Sequence, residues 1–363
     1  MRLTDLDTPA IVIDLDIMER NLRAVADYTR IHRLRLRPHT KTHKIPALGR
    51  RQIELGAAGL AVAKSTEAEV MVSSGTPDLL VAYPVIGRQK LERLCRVAGE
   101  TQLTVALDSL SAARPLSDAA RCAQVEIGIL AEVDVGLGRV GVQPGEELLA
   151  LVQSISKFPN LKWRGVAFYP GHIKDTAAHG LDELEKLRHT VSQMVEHLTA
   201  AGFHPEIVSG GSTPLLWHSH TIPYLNEIRP GTYIFNDRNT ILSGACSLAH
   251  CAATILTTVV STAPGRMIID GGSKTFSSDR LAGSSEVTFG EIREAPEASF
   301  HKMNEEHGYI DLHNTTAQFS VGDRVHVLPN HICVAMNLHE TVYGIRDGEV
   351  VETWRVEGRG KLQ

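Results

Sequence analysis

Short apolar runs alternate with amphipathic stretches through the first part of the chain. Ala10–Ile13 is a β-branched run, and Asp16–Thr29 then sets Met18, Leu22, Val25 and Tyr28 on one face at helical spacing. The same reading predicts strands at Leu34–Arg37, Gly59–Ala63, Leu79–Tyr83, Leu103–Leu107, Ile127–Val133, Trp163–Phe168 and Glu206–Ser209. Between them it predicts helices over Lys41–Leu55, Ser65–Ser73 with Ser65 as N-cap, Gly87–Ala98, Ser109–Ala123, Glu146–Ile155 and Leu181–Ala201. An alternation sustained this long predicts an α/β fold with a parallel sheet, a (β/α)8 TIM barrel. An open doubly wound sheet is the alternative. It is weakened because no strand runs into a Gly-x-Gly-x-x-Gly helix opening.

The pattern changes near residue 236. Ala253–Val260, Met267–Ile269, Arg324–Leu328, Thr341–Ile345 and Val350–Val356 are strand-like, without long helices between them. Arg346-Asp-Gly-Glu349 predicts a hairpin, because Asp-Gly tolerates the positive φ of a tight turn. Residues 277–306 are polar and irregular, and a functional loop is expected there. The expected division is a barrel over residues 10–235. Residues 236–363, joined by residues 1–9, form a mostly β domain.

Composition narrows the class. The chain has 363 residues and a formal charge of −5, with 43% hydrophobic and 22% charged positions, as in an ordinary globular protein. Mild acidity argues against a nucleic-acid surface, although residues 30–37 are locally basic. No apolar run reaches membrane-spanning length, and the first seven residues carry acids where a signal peptide is apolar. Five cysteines (Cys95, Cys122, Cys246, Cys251 and Cys333) make a poor disulfide framework, so a cytoplasmic setting is expected. The 17 histidines suggest metal ligands or proton carriers among them.

Four segments carry candidate chemistry. Arg37-Pro-His-Thr-Lys-Thr-His-Lys44 follows a strand, where barrel enzymes collect catalytic groups. Lys41, pointing into the barrel mouth among cations, is a candidate Schiff-base amine, since burial and positive neighbours favour the neutral form. A basic solvated turn is the competing reading. Ser209-Gly-Gly-Ser-Thr-Pro214 can form an anion-binding nest of backbone amides, or be an ordinary glycine turn. Asp134-Val-Gly-Leu-Gly-Arg-Val-Gly141 lets backbone approach a ligand, with Arg139 in reach of a carboxylate or an aromatic oxyanion. His331-Ile-Cys333, read as extended, puts an imidazole and a thiol on one face as two ligands of a zinc site, with His307 or His339 nearby. A buried cysteine beside an unrelated histidine would look the same.

Taken together, these segments resemble the D-threonine aldolase / D-serine dehydratase family, fold-type III pyridoxal-phosphate enzymes related to alanine racemases. The resemblance runs over nearly the whole chain. It covers Asp7-Thr-Pro9, the Arg37–Lys44 block, Glu132–Arg139, Ser209–Thr213, Arg229-Pro-Gly-Thr-Tyr233, Glu306-His-Gly308 and Pro329-Asn-His-Ile-Cys333, in that order. It implies an N-terminal barrel, a C-terminal β domain and a homodimer. It implies Lys41, not Lys44, as the cofactor lysine. It implies His39, Arg139, Tyr169, Gly210, Gly211, Ser212, Thr213 and Tyr233 around pyridoxal phosphate, and His331 with Cys333 on a divalent metal, zinc or manganese. His-x-Cys leans towards the dehydratases, whereas Asn337-Leu-His-Glu340 and the ending Trp354–Gly360 resemble the aldolases. His172 is the candidate base for a substrate hydroxyl, although it comes a few residues early and Asp175 sits near the family's usual place. The expected activity is a metal-assisted lyase on β-hydroxy D-amino acids, of D-threonine aldolase type. The alternatives are a D-serine dehydratase type, an amino-acid racemase, and a non-catalytic cofactor carrier.

Overall fold

The computed structural model of the chain describes residues 1–282 and 287–363. Its contacts divide it into two units. One is Met1–Arg23 with Thr232–Arg359, and the other is Ala24–Gly231 with Gly360–Gln363. The first strand, β1 (Ala10–Asp14), belongs to the former. This differs from the expected boundary at residue 10. A buried apolar run looks alike in any sheet, and the pairing that places it is with residues more than 230 positions away.

The second unit is the barrel. Its strands are β2 (Arg35–Leu36), β3 (Leu60–Val62), β4 (Asp78–Val81), β5 (Gln102–Leu107), β6 (Ile127–Val133), β7 (Leu161–Phe168), β8 (Ile207–Gly210) and β9 (Glu227–Ile228). They form an all-parallel sheet in the order β2-β9-β8-β7-β6-β5-β4-β3. Two backbone hydrogen bonds, Ala58 N–H to Leu36 O and Ala61 N–H to Pro38 O, both 2.8 Å, join β3 to β2 and close the ring. Ala61, Leu80, Ala106, Leu130, Ala167 and Ile207 come from six successive strands and pack together, small side chains alternating with large.

The barrel unit buries a cluster of charges, with Asp78 and Glu227 at the starts of β4 and β9. Arg37 makes a two-pronged contact with Asp78 at 2.9 and 3.1 Å, and its Nε lies 2.9 Å from Glu227. Arg164 bonds Asp78, Thr104 and Glu206. Helices follow most strands, as the pattern predicted, with two adjustments. The Lys41–Leu55 stretch is a 3-10 turn, Thr40–Thr42, then a helix over Pro46–Glu54, because Pro46 holds Ile45 extended and opens the helix at its first position. The next helix begins at Ser65 with Lys64, not Ser65, at its cap. Glu67 reaches back to the Ala63 and Lys64 amides.

The first unit is built on a nine-stranded sheet. Its later strands are β10 (Ala253–Ala263), β11 (Arg266–Ile269), β12 (Gly290–Ile292), β13 (Ser299–Met303), β14 (Gly308–Asp311), β15 (Arg324–Pro329), β16 (Thr341–Arg346) and β17 (Glu349–Arg355). β1 runs antiparallel to β10 and parallel to β16. The hairpin between β16 and β17 turns on Asp347 (φ 49°) and Gly348 (φ 75°), as Asp-Gly predicted. The expected loop over residues 277–306 instead contributes β12 and β13, while its residues 283–286 lie outside the described ones. β12 is only three residues long and β13 exposes His301 and Lys302, so neither shows a clear hydrophobic pattern. All five cysteines are free thiols. Among the described residues no helix is long and apolar enough to cross a membrane.

Candidate active site

The barrel's candidate residues stand at the ends of its strands. His39 and Lys41 follow β2, Arg139 follows β6, Tyr169 follows β7, and Gly210–Thr213 end or follow β8. Lys41 and Arg139 both approach Tyr169, with the ammonium 6.0 Å and the guanidinium 4.9 Å from the ring centre. Lys41 is exposed, so the burial expected for it is absent, while the expected cationic neighbours are present. Lys44 is disposed differently. Its residue is buried and its ammonium lies 3.0 Å from Glu67, the carboxylate that also caps the following helix. Lys64 lies over the Tyr83 ring at 3.8 Å. Of the three amines in this region, Lys41 is the one presented at the strand end among the other candidates.

Electrostatics around Lys41 favour a neutral imidazole. Desolvation, then the charges of Lys41, Arg229 and Arg139, hold the His39 ring well below its usual range. Arg229 follows β9 and is buried. It donates to Ser209 Oγ at 2.5 Å and to the Phe168 carbonyl at 2.9 Å. Burial pulls its guanidinium down, and Glu132 and Glu227 oppose that. Arg229 opens the Arg-Pro-Gly-Thr-Tyr233 segment, in which the sequence points only to Tyr233. An arginine directly after a strand was the available signal.

The expected glycine nest is closely packed at one position and left-handed at the next. A side chain at Gly210 would meet the Phe168 ring at 2.4 Å, and Gly211 has φ 85°. Ser212 and Thr213 are buried beside them, and Ser212 Oγ accepts from the Leu215 N–H at 3.3 Å. These features fit a phosphate. Tyr233 is buried within a 3-10 turn, Thr232–Ile234, of the other unit. His172 packs on Gly136 of the Asp134–Gly141 loop, 3.2 Å from where a side chain there would begin. Its Nε2 is 3.9 Å from Glu183, and its Nδ1 is buried without a hydrogen-bond partner.

The two residues expected to bind a metal do not share a strand. His331 is extended (φ −139°, ψ 107°), but Ile332–Leu338 is a helix, and Cys333 lies in its first turn. A short apolar run is ambiguous between strand and helix, and here the helix buries Ile332, Cys333, Ala335 and Met336 together. The two side chains still meet. His331 hydrogen-bonds Cys333, and the charge of that neighbour, with help from Asp237, holds the imidazole up at about 11 against its burial. Imidazole and sulfur are a donor set suited to zinc. Neither His307 nor His339 joins them. His339 bonds the Thr275 carbonyl at 3.2 Å, and no group of three or more His, Cys, Asp or Glu able to hold a metal occurs among the described residues. The missed neighbour is Asp237, whose Oδ2 is 3.0 Å from His331 Nδ1. Its position just before a short helix was a readable cap signal.

Comparison with known proteins gives a consistent outcome. The profile of the alanine racemase N-terminal domain matches residues 13–239, and that of a serine dehydratase domain matches residues 252–345. A 3-hydroxy-D-aspartate aldolase of Paracoccus denitrificans is 32% identical, over 99% of this chain and 93% of its own. The crystal structure of D-threonine aldolase from Filomicrobium marinum superposes with a TM-score of 0.94 at 30% identity, covering 100% of this chain and 98% of that one. D-threo-3-hydroxyaspartate dehydratase from Delftia sp. HT23 gives 0.90 at 29% identity, covering 98% of each.

Proposed function

Since the chain belongs to the family of the alanine racemase N-terminal domain, continued by a serine dehydratase domain, we propose that it is a D-threonine aldolase-type lyase. It would split β-hydroxy D-amino acids into glycine and an aldehyde. The observation that carries the cofactor assignment is Lys41 at a strand end beside His39, Arg139 and Tyr169, while Lys44 is engaged by Glu67. The aldolase assignment is supported by the relatives of that activity and by Asn337-Leu-His-Glu340.

Pyridoxal phosphate, when bound, supplies an electron sink for the bond cleaved at Cα. Lys41 is the amine that would hold it. The amides of Gly210–Thr213, with the Ser212 and Thr213 hydroxyls, would take the phosphate, and the part of Tyr233 there rests on the resemblance. His39, neutral, and Arg229, anchored by Ser209 and the Phe168 carbonyl, keep donors in fixed directions around Lys41. His331 and Cys333 would hold a divalent metal, zinc or manganese, that acidifies a β-hydroxyl. His172 is assigned as the acceptor of that proton on the resemblance, and its Nδ1 makes no hydrogen bond in the structure. We also propose a homodimer, on the resemblance, and a cytoplasmic setting, on the five free thiols.

The second reading is a D-serine dehydratase type, favoured by Cys333 at the second metal position. There Lys41 removes the Cα proton and the β-hydroxyl leaves. Product analysis separates the two. The holoenzyme is given D-threonine, then D-serine, before and after chelation. Glycine with acetaldehyde, lost on chelation and restored by zinc or manganese, is the expected result. Keto acid and ammonia would replace the aldolase reading with the dehydratase one, and chelator-resistant racemisation would overturn both.

A further inference from the structure

Asp237 is wholly buried, and both its oxygens are spoken for. Oδ1 accepts from the Thr240 backbone N–H at 2.9 Å and the Thr240 hydroxyl at 2.6 Å, capping the helix Arg238–Leu242. Oδ2 accepts from the Ile332 N–H at 3.1 Å, the first amide of the helix that carries Cys333, and lies 3.0 Å from His331 Nδ1. One carboxylate therefore caps two helix starts and grips one imidazole. Three other donors already converge on this group, so it serves as an acceptor and Nδ1 carries the hydrogen between them. In the neutral ring, that leaves the Nε2 lone pair as the one available to a ligand.

We propose that Asp237 is a positioning residue for the metal site, fixing His331 as an Nε2 donor and locking its ring beside Cys333 without itself binding the metal. The proposal rests on the reading of His331 and Cys333 as metal ligands. Its four hydrogen-bond donors occupy the carboxylate, so Asp237 has no lone pair directed at an ion. Its effect is to remove the wrong tautomer and the rotational freedom of the ring before the metal arrives. Replacing it with asparagine is informative. If the amide NH2 faces His331, it donates to Nδ1 and selects the tautomer with hydrogen on Nε2, which cannot ligate. If the carbonyl faces His331, the NH2 confronts the Thr240 N–H.

The test is zinc affinity of the metal-stripped, cofactor-loaded protein, measured by competition with a chromophoric chelator. The variants are Asp237→Asn, Thr240→Val and His331→Ala. Asp237→Asn is expected to bind zinc roughly 10- to 100-fold more weakly, with its cofactor absorption unchanged. Thr240→Val loosens the same helix cap, yet should stay close to wild type, because it leaves Oδ2 in place. A folded Asp237→Asn with wild-type affinity overturns the proposal. If wild type binds zinc no better than His331→Ala, the metal reading itself fails and the proposal falls with it. Should Asp237→Asn not fold, nitrogen NMR of histidine-labelled, zinc-loaded wild type decides. The resonance lost in His331→Ala must show a protonated Nδ1, and an unprotonated one overturns the proposal.

Discussion

At the scale of single residues, environment separates groups the sequence lists side by side. Lys41 and Lys44 are three positions apart in one motif, but only Lys44 is locked to a buried carboxylate. Lys41→Ala is therefore expected to abolish borohydride-stable cofactor attachment while leaving the fold intact, and labelling of Lys44 in the wild type would contradict it. His43, between them, is fully buried. Its Nδ1 accepts from the Ile45 N–H at 3.0 Å and its Nε2 lies 3.3 Å from Gln52 Oε1. Burial lowers the ring from 6.5 to about 4. The unfolded chain thus takes the proton first. Stability is full above about 6.5, falls as pH drops, and has lost about 3 kcal/mol once pH passes below 4. His43→Asn, whose side-chain oxygen can take over the Ile45 bond, should flatten this. Denaturant curves of the two proteins at pH 7.5 and 4.5 should differ in their acid loss by about 2 kcal/mol. Parallel losses would show that His43 does not titrate as its surroundings require.

At the scale of elements, strand ends build the site and the residues beneath them set its tolerance. β8 ends in Gly210, which lies against the tip of the fully buried Phe168 ring from β7. Gly210→Ala forces a methyl to 2.4 Å from that ring. Overpacking of this kind costs about 1–3 kcal/mol, so retention of pyridoxal phosphate should weaken roughly tenfold. Equilibrium dialysis of the cofactor measures it, and unchanged retention would place the phosphate elsewhere. The helix after His331 gives the complementary lesson. Its first turn brings Cys333 back to the imidazole, so a helix start achieves the juxtaposition that extended backbone was expected to supply.

At the scale of the whole molecule, the barrel unit buries a cluster of ions as well as a layer of aliphatic side chains. Asp78 serves Arg37 and Arg164 together, and these two hold its carboxyl below the usual range against the cost of burial. Removing it by Asp78→Ala leaves two buried guanidinium groups short of a partner. The expected loss is about 3–5 kcal/mol in denaturant unfolding. Cutting the exposed Arg88–Glu92 pair should change nothing measurable. Equal effects of the two would mean that the barrel interior is more hydrated than its packing implies.

The sequence by itself determined the periodic elements of the barrel, the Asp-Gly hairpin, and most of the residues gathered at the strand ends. These follow from local rules. Side-chain period selects strand or helix, and a motif such as Arg-Pro-His-x-Lys-Thr-His-Lys keeps its chemistry within a few residues. Tertiary structure alone decided that β1 pairs with β10 and β16 rather than with the barrel strands, that Lys44 meets Glu67, and that Asp237 holds His331 from 94 positions away. An apolar run pairs equally well in many sheets, and a buried carboxylate is satisfied by any donor that the fold delivers. Which one arrives is fixed by long-range packing, and that information is spread over the whole chain instead of being written at either partner.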